Sequence, residues 1–124
     1  MRDGFNTSPR SGEGAGLWFL KILSGLLIIL VLMIHLVVNH LIVEGGLLSY
    51  ADVVAYYQTW IVPIMEVFFL VFVVGHAMMG LRSVLMDLRP SNKMLKVINW
   101  VLTLVGVTAI VYGTWLVIII TQRG

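Results

Sequence analysis

Three long apolar segments dominate the 124-residue chain and limit the folds that it can adopt. They cover approximately residues 17–43, 61–81 and 97–120, and each exceeds the roughly 20 residues that a helix needs to cross the hydrocarbon core of a bilayer. The mean hydropathy is +1.01, far above that of a soluble domain. The sequence therefore predicts an all-α integral membrane protein with three transmembrane helices in a 17–124 anchor domain, preceded by a polar arm at 1–16.

The basic residues cluster at one end of these segments, which indicates how the chain is oriented. Seven lysine and arginine residues flank the start of the first segment or lie between the second and third: Arg2, Arg10, Lys21, Arg82, Arg89, Lys93 and Lys96. Only Arg123 falls on the other side. Because cytoplasmic loops are enriched in basic residues, we predict a cytoplasmic N-terminus. This placement of the charges also argues against a nucleic-acid partner.

Local signals refine the ends of the helices. The first segment is too long for a signal peptide, and no small-residue cleavage site follows it, so we expect a retained helix. Pro63 is suited to the first turn of the second helix, where a missing N–H is tolerated. Pro90 should stop that helix, and Ser91 or Asn92 should cap the third. The chain has no cysteine, which leaves histidine, methionine and carboxylates as the metal ligands it can offer.

Three histidines lie in or beside the apolar segments. His76 lies six residues before Arg82, about 9 Å from the cytoplasmic end, whereas His35 lies about 27 Å along the first helix. His40 lies near the outer interface. Histidines at two levels are suited to bis-histidine haem ligation with a second chain, but each could instead bond a carbonyl or serine of a neighbouring helix. Gly80, one turn after His76, leaves room for a flat cofactor or another helix.

The remaining ionisable residues also have two interpretations each. Glu66, in the outer part of the second segment, is either a proton carrier or quinone hydrogen-bond partner, or a side chain that reaches the outer interface. Arg82 and Asp87 lie at the cytoplasmic interface. They either form an interfacial ion pair or line the site of a quinone headgroup or a haem propionate, for which arginine is well suited.

His76, Gly80 and Asp87 form a His-x3-Gly-x6-Asp pattern at the cytoplasmic end of the second of three spans. This arrangement resembles the membrane anchor subunits of succinate dehydrogenase (complex II) over roughly residues 17–120. The stretch IHLVVNH at 34–40 looks like the D-type anchor of bacterial, actinobacterial-like enzymes. A C-type anchor shares the second-helix pattern, but the first helix lacks the C-type histidine–arginine signature.

The resemblance implies a role in electron transfer. Such anchors hold a flavoprotein and an iron–sulfur subunit at the bacterial cytoplasmic membrane, and a D-type chain pairs with a C-type anchor. Haem b binds between the two anchors, with His76 as an axial ligand, and His35 matches the ligand position of a second haem. Electrons pass to a quinone, usually menaquinone in two-haem members. Whether the heterotetramers form trimers stays open.

One residue departs from the family pattern. In several relatives a tyrosine that bonds the quinone follows the motif aspartate, whereas Leu88 follows Asp87 here. The quinone contact must therefore differ or lie on partner subunits. A fumarate reductase anchor is an alternative within the same class. The alternative of another class is a structural three-helix membrane protein, or a small pore, that holds no cofactor.

Overall fold

The structure is a computed structural model that describes residues 14–42, 45 and 48–124, without the side chains of 38–40. Every regular element in this part of the chain is helical. In chain order they are α1 (Ala15–Leu36), a π-helical segment (Val37–Ile42), α2 (Tyr50–Tyr57), α3 (Ile61–Asp87) and α4 (Asn92–Thr121).

Three of these helices, α1, α3 and α4, are long and apolar enough to cross a membrane, which confirms the predicted architecture. Their ends differ from the hydropathy limits. The second span continues as helix to Asp87 instead of ending at 81, and the third begins at Asn92 instead of 97. Hydropathy follows only the part of a helix that lies in hydrocarbon, whereas the hydrogen-bonded turns continue into the polar interface until a cap or a proline intervenes.

The ends of α3 and α4 follow the predicted local signals. Pro63 is the third residue of α3, within its first turn. Ser91 is the N-cap of α4, and its side chain accepts a hydrogen bond from the backbone N–H of Met94 at 3.2 Å. Between the helices Arg89 has a φ of 53°, a left-handed conformation that glycine usually supplies after a helix. The second span therefore ends before Pro90, as predicted, and four residues connect it to α4.

A short helix, α2, was not expected in the connection between the first and second spans. It begins with a reciprocal cap, because the Ser49 hydroxyl accepts from the Asp52 N–H and the Asp52 carboxylate accepts from the Ser49 N–H at 2.8 Å. The Ser49 hydroxyl also donates to that carboxylate, which lowers the pKa of Asp52. This spacing of serine and aspartate is a capping-box signature that the sequence displays.

The spanning helices form an open row with α3 in the middle. α3 contacts α4 along much of its length and α1 on its other side, whereas the described residues of α1 and α4 do not contact each other. The approach of α4 depends on two glycines. A side-chain carbon at Gly106 would lie 3.1 Å from Met78, and one at Gly113 would lie 2.5 Å from Leu70. Small residues at these positions let the two backbones come close.

Candidate functional site

His76 lies in the C-terminal half of α3 and faces α1. Its Nδ1 atom is 2.9 Å from the hydroxyl oxygen of Ser24, and that hydroxyl is also 2.9 Å from the backbone carbonyl of Lys21. Ser24 is only 3% exposed, the most deeply buried polar side chain in the described part of α1. The bond to a serine of a neighbouring helix, one of the two interpretations of His76, is therefore present. It uses one ring nitrogen and leaves Nε2 as the nitrogen for a ligand.

Glycines shape the surroundings of this imidazole on two sides. A side-chain carbon at Gly25 would lie 3.1 Å from His76 Cε1, so a larger residue there would crowd the ring by a few tenths of an ångström. By contrast, no atom beyond the neighbouring backbone of α3 lies within 4 Å of a side-chain carbon built at Gly80. Gly80 therefore faces open space among the described residues.

Lys21 lies on the same side of α3 as His76, whereas the charge pattern of the sequence marks it only as a basic residue near a span end. Lys21 Nζ donates to Ser83 Oγ at 2.6 Å, and Ser83 follows His76 by seven residues, or two helical turns. Lys21 also precedes Ser24 by three residues, which places both on one face of α1. That spacing is the sequence signal that both side chains face the same neighbouring helix.

Arg82 points away from this group. It follows His76 by six residues, which turns it about 120° around the helix. Its Nε donates to Asn99 Oδ1 of α4 at 2.9 Å. Both residues line a groove of about 420 Å³ between α3 and α4, whose wall includes Gly75 and Gly106. The structure therefore places Arg82 at a groove and not beside His76, while Asp87 is exposed at the end of α3.

His35 lies at a different level from His76. It is the penultimate residue of α1 and is exposed. Because Ser24 contacts His76, the eleven residues from Ser24 to His35 place the second histidine roughly 16 Å further along the helix axis. Among the described residues, no three His, Cys, Asp or Glu side chains come together as a metal site. The side chain of His40 lies outside the described part.

Glu66 lies near the N-terminal end of α3, close to Tyr57 of α2. Burial raises the pKa of the Tyr57 hydroxyl, and the negative charge of Glu66 raises it further, with a smaller contribution from Tyr56. Glu66 is itself half-buried. It therefore lies beside a phenol near the N-terminal end of α3, ten residues before His76.

This contact predicts how Tyr57 titrates. Because the folded chain favours the neutral phenol, we expect Tyr57 to ionise above the ordinary tyrosine pKa of about 10. The stability that the neutral form contributes should be present below that pH and lost as the pH rises through the raised pKa. Glu66→Gln should lower the pKa of Tyr57 without restoring its ordinary value, because burial is the larger cause.

Tyrosinate absorbance during an alkaline titration measures the pKa of Tyr57, and the Tyr57→Phe variant assigns the signal to this residue. Asp87→Asn, at the other end of α3, is the matched control and should leave the titration unchanged. An identical titration for wild type and Glu66→Gln would contradict the contact.

Comparison with known protein families matches residues 7–114 to the family described as the succinate dehydrogenase/fumarate reductase transmembrane subunit. No curated protein and no solved structure gives a significant match. The matched region covers most of the chain and includes all of α1 and α3. The family predicted from the spans and from His76, Gly80 and Asp87 is thereby confirmed. The chain belongs to the family of transmembrane subunits of succinate dehydrogenase and fumarate reductase.

Proposed function

We propose that this chain is a D-type anchor subunit of a succinate:quinone oxidoreductase that binds haem b together with a second anchor. The observation that carries the proposal is the environment of His76. Its Nδ1 bonds Ser24, which leaves Nε2 as a ligand nitrogen, and the open space at Gly80 lies one turn away on a neighbouring part of the same face. In a membrane subunit of this family, that combination suits a planar cofactor.

The residues present fit a haem at this level. A bound haem supplies a one-electron carrier between the iron–sulfur subunit and the membrane quinone. His76 would hold the iron from one side, and Gly80 would leave its face of α3 clear of side chains. The C-type anchor would supply the second ligand.

His35 would ligate a second haem at the outer level. The separation of roughly 16 Å along α1 is too large for both histidines to bind one iron. An apolar groove of about 260 Å³ lies between α1 and α3, and its wall includes Ile28 and Val31. His35 follows Val31 by four residues and Ile28 by seven, so it continues the same face of α1. A two-haem arrangement favours menaquinone as the electron acceptor.

The quinone site would involve the polar residues at the ends of the spans. Arg82 offers guanidinium N–H donors at the mouth of the α3–α4 groove, where a carbonyl oxygen of a quinone headgroup could accept. Asp87 lies exposed one and a half turns further along α3, and Glu66 is the alternative at the outer end. Leu88, 76% exposed, can contribute only apolar contact.

The partners follow from the same proposal. The flavoprotein and iron–sulfur subunits would bind at the cytoplasmic side of a bacterial membrane, where the N-terminus and the α3–α4 connection lie. The distribution of basic residues supports this orientation. A fumarate reductase anchor would have the same architecture and differ in the direction of electron flow.

Counting haems in the purified complex tests the proposal. We expect about two b-type haems per complex from the two histidine levels, and one after His35→Ala. His40→Ala is the matched control in the same region and should keep both. A wild-type complex with a single haem would remove His35 from the ligands. A complex without haem would favour the structural anchor, in which the Ser24 hydrogen bond alone satisfies His76.

A further inference from the structure

We infer that Ser24 is a positioning residue for His76: it fixes the proton on Nδ1, presents Nε2 to the haem iron, and lowers the reduction potential of that haem. The inference rests on the proposed function and adds a role for a residue of α1 that the sequence pattern does not mark.

The direction of the hydrogen bonds follows from counting hydrogens. A serine hydroxyl has one hydrogen, and two groups lie within bonding distance of Ser24 Oγ. The Lys21 carbonyl can only accept, so the hydroxyl donates to it at 2.9 Å. In the arrangement that makes both contacts hydrogen bonds, the remaining partner, His76 Nδ1, also at 2.9 Å, is the donor. A neutral imidazole with its proton on Nδ1 has its lone pair on Nε2, the form that a metal requires.

Packing also fixes the orientation of the His76 ring. Ser24 is 3% exposed, so water does not compete for the imidazole proton at this contact. Gly25, the next residue of α1, brings the helix backbone against the ring edge, where an added side-chain carbon would be 3.1 Å from Cε1. The hydrogen bond of 2.6 Å between Lys21 and Ser83 joins the same two helices nearer the cytoplasm. The orientation of His76 therefore depends on the packing of α1 against α3.

An oxygen that accepts from Nδ1 makes Nε2 a stronger electron donor to the metal. Here the accepting hydroxyl itself donates to a carbonyl, and successive hydrogen bonds in such a chain polarise one another. A stronger donor stabilises ferric iron more than ferrous iron. The haem held by His76 should therefore have a lower midpoint potential than it would without Ser24.

A redox titration of the haem spectrum in the purified complex tests this, with Ser24→Ala, Ser24→Thr and Ser83→Ala as variants. Ser24→Ala should raise the midpoint potential of one haem. The rise is about 59 mV for each tenfold decrease in the preference of the site for ferric over ferrous haem. It should also speed haem loss about 10–100-fold. Ser24→Thr keeps a hydroxyl that can bond a preceding carbonyl, as Thr103 does with Asn99, and should match wild type.

Ser83→Ala is the matched control, because it removes a hydrogen bond between the same helices without touching the imidazole. It should leave the potential unchanged. A Ser24→Ala complex with wild-type potential and wild-type haem retention would overturn the role of Ser24 and leave the proposed function intact. An equal shift in Ser83→Ala would overturn it too, by showing a general effect of helix packing. A wild-type complex with no haem would instead overturn the proposed function.

Discussion

In a purified complex carrying His76→Ala, we expect the haem on the cytoplasmic side to be absent, and the double variant His35→Ala/His76→Ala to contain no b-type haem. The imidazole is this chain's proposed ligand at that level, and alanine offers no donor atom in its place. Haem per complex and the reduced-minus-oxidised spectrum measure the result. Electron delivery to quinone should fall with the loss of the carrier.

The control separates the ligand from the hydrogen bond that supports it. Ser24→Ala removes the same contact between α1 and α3 but keeps the imidazole, so the complex should still contain the haem when it is isolated. If His76→Ala left the spectrum and the haem content unchanged, the axial assignment would be wrong. His76 would then be a histidine that bonds a neighbouring helix and nothing more.

A second large effect is expected where α4 meets α3. In Gly113→Leu the new side chain must occupy the space of Leu70, since even its first carbon would lie 2.5 Å from Leu70 Cδ2. Overpacking of this kind costs about 1–3 kcal/mol. The higher helix propensity of leucine offsets less than about 1 kcal/mol of that. We expect a lower thermal midpoint for the complex in detergent.

Leu70→Ala supplies the matched test, because it opens space opposite Gly113. Alone it should also lower the midpoint, by leaving a cavity. Combined with Gly113→Leu it should recover part of the loss, since one leucine then fills the space between the helices. If the double variant were less stable than the sum of the two single changes, the contact would not be the one described.

The sequence was sufficient for the features that depend on local chemistry. The lengths of the apolar segments predict the three spans. The sequence also predicts the positions of Pro63 in the first turn of α3 and of Ser91 at the N-cap of α4. α2 was missed although the Ser49–Asp52 capping box is visible in the sequence, because a connection dominated by small and apolar residues offered no helical periodicity to support it.

The contacts of the candidate site were only partly predictable. A histidine in a membrane helix must find a partner, but which one depends on how α1 and α3 are rotated and shifted against each other. That is a property of packing along the whole interface and not of any motif. The same rotation decides that Lys21, and not Arg82, lies on the side of His76. Helical spacing places Lys21 and Ser24 on one face of α1, but it does not identify their partners on α3.

The open row of helices also implies an order in which parts of the molecule become rigid. α3 and α4 are joined by only four residues, 88–91, and contact each other along much of their length, so we expect this hairpin to be the most protected unit of the described helices. The described contacts of α1 with α3 include two hydrogen bonds in the N-terminal half of α1. Amide exchange should therefore be slowest in the hairpin and faster toward the C-terminal end of α1. Ligation at His35 would then be the later event in assembly, completed when a partner immobilises that end.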